Sequence, residues 1–119
     1  MAKVLIVEDD PEGANAMRLY LQFRGHEVAV AGSGEEAMQF LESLQDGSGY
    51  DIIITDLQLP GIRGDELARR LLARCAISPK LIALSGEPSQ QEAAPFHLRL
   101  RKPCKPRALV DAIDTLLGQ

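Results

Sequence analysis

The sequence predicts an α/β fold: a doubly wound sheet of five parallel strands with helices on both of its faces. Two observations support this class. Short apolar runs alternate five times with segments of helical periodicity. The central run, residues 52–55 (IIIT), has no polar alternation, which is typical of a strand buried on both faces. No repeat or linker interrupts the pattern, so we expect residues 1–119 to form one domain.

The individual elements follow from local signals. The predicted strands are residues 3–7, 27–31, 52–55, 80–84 and 96–101. Predicted helices lie between and after them: 11–24, from Ser33 or Gly34 to 44, 65–75, a short and irregular 88–94, and from 106 onward. Asp10 is expected to cap the first helix, with Pro11 in its first turn, and Gly25 to end it.

Polar side chains follow four of the five strands. Glu8 and Asp9 come after the first strand, Asp56 after the third, Ser85 after the fourth and Lys102 after the fifth. If the strand order is 2-1-3-4-5, the first and third strands are neighbours at the topological switch point, where ligands bind. Clustered carboxylates suit Mg²⁺ or Mn²⁺, and a nearby hydroxyl and ammonium suit a phosphoryl group. Each residue alone is typical of a turn or cap, but their conjunction favours a site.

Composition excludes several functions. The net charge of −4 provides no basic field for nucleic acid or an anionic membrane. No apolar run reaches membrane-spanning length, and no signal peptide precedes the first strand, so a cytoplasmic location is expected. Cys75 and Cys104 lack metal-ligand or redox spacing and are expected to be reduced thiols.

Four motifs carry a family resemblance: VLIVEDDP, DIIITDLQLPGIRG, LIALSG and LRKPCKP, in this order and spread over the whole chain. With them the chain resembles the receiver domain of two-component response regulators, a flavodoxin-like family that includes the chemotaxis regulator. The resemblance implies a signalling switch rather than an enzyme with a separate substrate, one that catalyses only its own phosphoryl transfer and dephosphorylation.

The resemblance also implies residue roles. Asp56 matches the phosphoacceptor, Ser85 the switch hydroxyl and Lys102 the lysine that pairs with the phosphoryl group. The implied Mg²⁺ (or Mn²⁺) ligands are Glu8, Asp9, Asp56 and the backbone carbonyl of Gln58. By the same similarity, the Lys102–Pro103 peptide bond is expected to be cis.

The implied partners are a histidine kinase or histidine phosphotransfer protein, which supplies the phosphoryl group, and an unknown downstream protein. Neither nucleic acid nor membrane is expected to bind this domain. Because the sequence ends one helix after Lys102, we expect no output domain: either a stand-alone regulator or a receiver from a larger protein such as a hybrid kinase.

Two features depart from the family pattern. The interval 85–102 is shorter than usual, and Arg99 stands where many relatives carry Tyr or Phe. Arg99 and Arg101 alternate with leucines, which predicts a poorly covered face on the last strand. They are either solvated charges that protect a sheet edge or part of a basic docking face with Lys105 and Arg107.

Three other functions stay open. A receiver-fold interaction module could act through the Arg99 face without phosphorylation. A magnesium phosphohydrolase of the haloacid-dehalogenase type would want a second Asp where Gln58 stands. An FMN-binding module would want a hydroxyl- and glycine-rich loop in place of residues 8–10.

Overall fold

The structure, a computed structural model, describes residues 2–42, 49–59, 61–73, 79–86 and 96–118. Its strands are β1 (Lys3–Val7), β2 (Glu27–Ala31), β3 (Ile52–Asp56), β4 (Lys80–Ser85) and β5 (Leu98–Arg101). Its helices within the described ranges are α1 (Pro11–Phe23), α2 (Gly34–Glu42), α3 (Gly64–Ala73) and α4 (Pro106–Leu116). All strand pairs are parallel, in the order β2-β1-β3-β4-β5. The predicted fold class and strand order are confirmed.

Two apolar cores lie on opposite faces of the sheet. Because successive strand residues point to opposite faces, Ile52 and Ile54 join one core and Ile53 the other. The first core contains side chains from α1 and α4, and the second contains side chains from α2 and α3. Each fully buried Leu or Ile contributes roughly 1.5–3 kcal/mol. Every residue of β3 is buried, so this central strand holds its last residue, Asp56, firmly.

Several boundaries agree with the predictions, for identifiable reasons. The Asp10 side chain accepts a hydrogen bond from the Gly13 N–H at 3.3 Å, which caps α1. Gly25, with φ of 96°, ends that helix. Strands β3 and β4 each extend one residue further than predicted, because Asp56 and Ser85 still have partners in the ladder.

The predicted start of the last strand was wrong: β5 begins at Leu98, not at Phe96. The Nδ1 atom of His97 accepts the Leu81 N–H at 3.0 Å, so a side chain satisfies an amide that a longer ladder would use. Leu98 and Leu100 are half-buried while Arg99 and Arg101 are exposed, which confirms the alternating pattern of this edge strand.

Helix α3 begins at Gly64, one residue before the predicted start. The predicted ends of α2 and α3 and the whole predicted helix 88–94 lie outside the described residues. The Lys102–Pro103 bond is cis, as expected from the resemblance. Among the described helices, none is both long enough and apolar enough to cross a membrane.

Candidate functional site

Three ionisable side chains meet at the carboxyl edge of the sheet. Glu8 follows β1, Asp56 ends β3 and Lys102 follows β5. Glu8 and Asp56 are both only 4% exposed, which is unusual for carboxylates and requires partners. Asp9, the next residue after Glu8, is exposed. The strand order therefore brings together groups that lie far apart in the sequence.

Lys102 connects the two buried carboxylates. Its Nζ atom donates to Oδ2 of Asp56 at 2.8 Å and to Oε1 of Glu8 at 3.3 Å. The lysine side chain is 36% exposed, so one side of the ammonium group still faces solvent. Such charge-assisted bonds fix the carboxylates in position and leave the cation accessible to a further anion.

The remaining oxygens of the two carboxylates accept backbone N–H groups. Oδ1 of Asp56 accepts the Gln58 N–H at 3.0 Å, and Oε2 of Glu8 accepts the Asp10 N–H at 3.1 Å. Sequence reasoning missed both contacts, treating Gln58 as a carbonyl ligand and Asp10 as a helix cap only. For Asp56 the available signal was the spacing, since Asp side chains commonly bond the backbone two residues onward. The Glu8 contact had no comparable signal.

The acidic residues fit a divalent cation. One carboxylate oxygen from each of Glu8, Asp9 and Asp56 lies within 4.8 Å of the others. Three carboxylates against the single charge of Lys102 leave an excess of two negative charges when all are ionised. An all-oxygen donor set with this charge suits Mg²⁺ or Mn²⁺, whereas softer ligands such as thiolates would not. The side chains present thus match the predicted metal.

The pKa values of Glu8 and Lys102 are both raised. Burial raises the pKa of Glu8, and the charge of Asp56 adds to this, whereas the Asp10 hydrogen bond and Lys102 oppose it. For Lys102, burial alone would lower the pKa, but the hydrogen bond to Asp56 and the charges of Asp56 and Glu8 outweigh burial and raise it. The site therefore favours a bound positive charge.

Ser85 and Gly86 lie beside this cluster at the end of β4. Ser85 is 9% exposed, and its carbonyl accepts the Lys102 N–H at 2.9 Å. The backbone thus links the candidate switch hydroxyl to the candidate lysine. A side chain added at Gly86 would meet no atom of a described residue within 4 Å. The Gln58 side chain is exposed.

A pocket of about 210 Å³ opens next to the acids. Glu8 and Asp9 line it together with residues of α1 and of the loop after β2: Pro11, Ala14, Asn15, Arg18 and Gly32. The two acids therefore border a cavity that a small molecule or a partner side chain could enter.

Fold and site together define a signalling domain of the receiver class, with an acidic cluster and a lysine at the switch point of a doubly wound sheet. The family model described as the response regulator receiver domain matches residues 4–114. The chain belongs to this family.

Sequence relatives agree. The chain is 39% identical over 71 residues to the transcriptional regulatory protein AfsQ1 of Streptomyces coelicolor, an alignment that covers 60% of this chain and 30% of that protein. It is 31% identical over 121 aligned positions to the sensory transduction protein RegX3 of Mycolicibacterium smegmatis, covering 98% of this chain and 51% of the relative. The chain thus spans about half, or less, of the length of these relatives.

Solved structures agree as well. The response regulator TrrA of Thermotoga maritima, solved in complex with Mg²⁺-BeF, is similar with a TM-score of 0.81 and 26% sequence identity. The similarity covers 98% of this chain and 99% of that one.

Proposed function

We propose that the protein is a phosphoacceptor of a two-component or phosphorelay system, in which Asp56 accepts a phosphoryl group from phosphohistidine. The observation that carries the proposal is the contact of the Lys102 ammonium with both Asp56 and Glu8, next to the exposed Asp9. This arrangement combines a buried, oriented carboxylate with a cation that can pair with a second anion.

In the proposed step, a carboxylate oxygen of Asp56 forms a bond to phosphorus while the P–N bond of phosphohistidine breaks. The imidazole nitrogen keeps the bonding electron pair, and the proton on its other ring nitrogen makes the leaving group neutral. The Gln58 N–H and Lys102 hold the two oxygens of Asp56 before the reaction, so little reorientation is needed. The product is an aspartyl phosphate.

Mg²⁺ held by Glu8, Asp9, Asp56 and the Gln58 carbonyl would offset the charge of the phosphoryl oxygens. The residues of the chain supply the rest. Lys102 is already within 2.8 Å of Asp56, so its ammonium group can transfer a hydrogen bond to the new phosphoryl oxygens.

The phosphoryl group adds nearly two negative charges and three acceptor oxygens beside β4. We expect the Ser85 hydroxyl and Lys102 to bind those oxygens and to shift the loops after β3 and β4 toward a second arrangement. The shift would change contacts with a downstream protein, and hydrolysis of the aspartyl phosphate would reset it. The donor would be a histidine kinase or a histidine phosphotransfer protein, and the whole sequence, residues 1–119, would act as one cytoplasmic receiver domain.

One experiment tests the proposal. The protein is incubated with Mg²⁺ and acetyl phosphate or phosphoramidate, and its intact mass is measured. We expect a gain of one phosphoryl group that requires Mg²⁺ and is abolished in Asp56→Asn. No adduct on the wild type, or an undiminished adduct on Asp56→Asn, would refute the phosphoacceptor function.

Asp51→Asn is a matched control, because Asp51 is also an aspartate next to β3 but precedes that strand instead of ending it. We expect this variant to form the adduct at the wild-type rate. Equal losses in both variants would mean that the substitutions act through folding rather than through chemistry at Asp56.

A further inference from the structure

The start of α2 lies directly against the loop that follows Asp56. Gly34, the first residue of α2, is buried, and a methyl group added to it would overlap the Cγ2 methyl of Ile62. The same methyl group would lie 3.4 Å from Cδ1 of Leu67 in α3. Ile62 therefore occupies the space that a side chain at position 34 would fill. We call this contact the Gly34–Ile62 notch.

The α2 side of the notch is held rigidly. The Ser33 hydroxyl accepts the Glu36 N–H at 3.1 Å, and the Glu36 carboxylate accepts the Gly32 N–H at 2.7 Å. The two bonds resemble a capping box, except that Glu36 reaches the N–H of Gly32, the residue before Ser33, and together they fix the direction in which the chain enters the helix. The backbone at position 34 therefore cannot move easily when a larger side chain is introduced there.

The other side of the notch belongs to the described part of the loop after β3, residues 57–59 and 61–63. At the front of this loop, the Gln58 N–H bonds to Asp56 and the Leu57 N–H bonds to the Leu84 carbonyl at 3.0 Å. At its back, Gly61 adopts φ of +84°, a conformation that favours glycine, and Glu35 of α2 lies within 3.6 Å of where a Cβ at this position would stand. The loop is thus fixed at one end by the phosphoacceptor and at the other by the notch.

We propose that Gly34 is a positioning residue for the Asp56 site: the notch sets where the loop carries Gln58, and hence both the N–H that orients Asp56 and the carbonyl assigned to Mg²⁺. The inference rests on the proposed function for its effect on Mg²⁺ and phosphoryl capture. It makes the first turn of α2 a second point from which the site is controlled, although α2 contributes no carboxylate to the acidic cluster.

The first test compares Gly34→Ala with Gly32→Ala. Among the described atoms, a methyl group at Gly32 would meet only the Glu36 carboxylate, at 3.5 Å, so this variant is the matched control just before α2. We expect Gly34→Ala to weaken Mg²⁺ binding to the unphosphorylated protein about tenfold, the effect of a modestly overpacked contact, and to slow adduct formation. Gly32→Ala should change both by less than about twofold.

A second readout does not depend on the proposed function. In Mg²⁺-free protein, the backbone amide resonances of Leu57 and Gln58 should shift in Gly34→Ala and stay in place in Gly32→Ala. Resonances that stay in place in Gly34→Ala overturn the inference. If they shift but wild-type protein neither binds Mg²⁺ nor forms an adduct, the positioning role stands and the proposed function fails.

Ile62→Ala tests the notch from the loop side, and it remains a test if Gly34→Ala does not fold. It removes the methyl group that an alanine at position 34 would meet. We expect Ile62→Ala alone to loosen the loop and weaken Mg²⁺ binding, and the double variant Gly34→Ala/Ile62→Ala to bind Mg²⁺ more tightly than the product of the two single effects. Fully multiplicative effects, or wild-type Mg²⁺ affinity in Ile62→Ala, would overturn the proposed notch.

Discussion

The two ends of the sheet use polar side chains in opposite ways. At the amino end, side chains accept backbone N–H groups: His26 from Ala2 at 3.0 Å, Asp51 from Lys3 at 2.9 Å and His97 from Leu81 at 3.0 Å. These bonds tie neighbouring strands together where the strands begin. They satisfy backbone groups that would otherwise lack partners and thereby stabilise the fold.

At the carboxyl end, the carboxylate side chains of the candidate site outnumber the lysine that contacts them. Lys102 contacts Glu8 and Asp56, and a carboxylate oxygen of Asp9 lies within 4.8 Å of one from each of them. Burial and the charge of Asp56 raise the pKa of Glu8, so the ionised form of Glu8 costs stability. Proteins keep such local conflicts where a ligand resolves them. The two ends of the strands therefore differ: the beginnings carry side-chain contacts that stabilise the fold, and the ends carry the candidate functional site.

The largest expected effect is a loss of phosphoryl transfer when the lysine at the carboxyl end is removed. Lys102→Ala removes the only cation described in contact with Asp56 and Glu8, and we expect adduct formation from phosphoramidate to slow about 10²-fold, as for loss of one oriented donor. Lys105→Ala removes the same charge from the exposed start of α4 and should react at the wild-type rate. Intact-mass time courses measure both, and similar rates would contradict the role given to Lys102.

A pair of aspartates contrasts the two ends directly. Asp9→Ala should weaken Mg²⁺ binding at least tenfold and leave the free energy of unfolding without Mg²⁺ unchanged or higher, because it relieves repulsion. Asp51→Ala should keep Mg²⁺ affinity but lower the free energy of unfolding by about 1 kcal/mol, since the Lys3 N–H loses its acceptor. Calorimetric Mg²⁺ titration and urea unfolding separate these outcomes. A stability loss in Asp9→Ala as large as that in Asp51→Ala would refute the division.

At the amino end of the sheet, we expect low pH to destabilise the fold through His26. Burial lowers the pKa of His26, and the positive N-terminus and Arg24 add to the effect while Asp114 opposes it. Because the folded pKa lies below the unfolded value, the neutral imidazole stabilises the fold above about pH 6.5, and this contribution is lost as pH falls through the lowered folded pKa. The loss should not exceed about 1.4 kcal/mol per pH unit. His26→Asn, which keeps an acceptor but does not titrate, should flatten the decline in the free energy of unfolding, measured with urea, as pH falls from 7 through the lowered pKa of His26.

The smallest expected effect comes from Glu8 at the carboxyl end. Its contribution to the free energy of unfolding should change with pH in the opposite direction to that of His26. The pKa of Glu8 is raised above 4.5, so its ionised form destabilises the fold above that raised pKa, and protonation relieves the cost as pH falls toward 4.5. With a chelator present, Glu8→Gln should therefore be more stable than wild type at pH 7, and the difference should shrink in acid. A constant difference across this range would show that Glu8 does not titrate with a raised pKa.

The sequence predicted the carboxyl end better than the amino end. Apolar runs mark where parallel strands end, and their ends converge, so Glu8, Asp56 and Lys102 could be grouped from the sequence alone. The amino-end contacts join residues 24, 48 and 16 positions apart through hydrogen bonds that no periodicity signals. The same holds for the start of β5, where the His97 imidazole replaces a ladder bond, and for Gly34, whose buried position depends on the path of the loop to Ile62.

The position of the phosphoryl group in the wild-type protein tests the role of Asp56 most directly. After reaction with phosphoramidate and Mg²⁺, borohydride reduces an aspartyl phosphate to homoserine, which peptide mass spectrometry can assign to a position. We expect homoserine at residue 56, where Lys102 and the Gln58 N–H already hold the carboxylate. Reduction at Asp9 or Asp10 instead, or a stable phosphoryl group on a hydroxyl residue, would contradict this role.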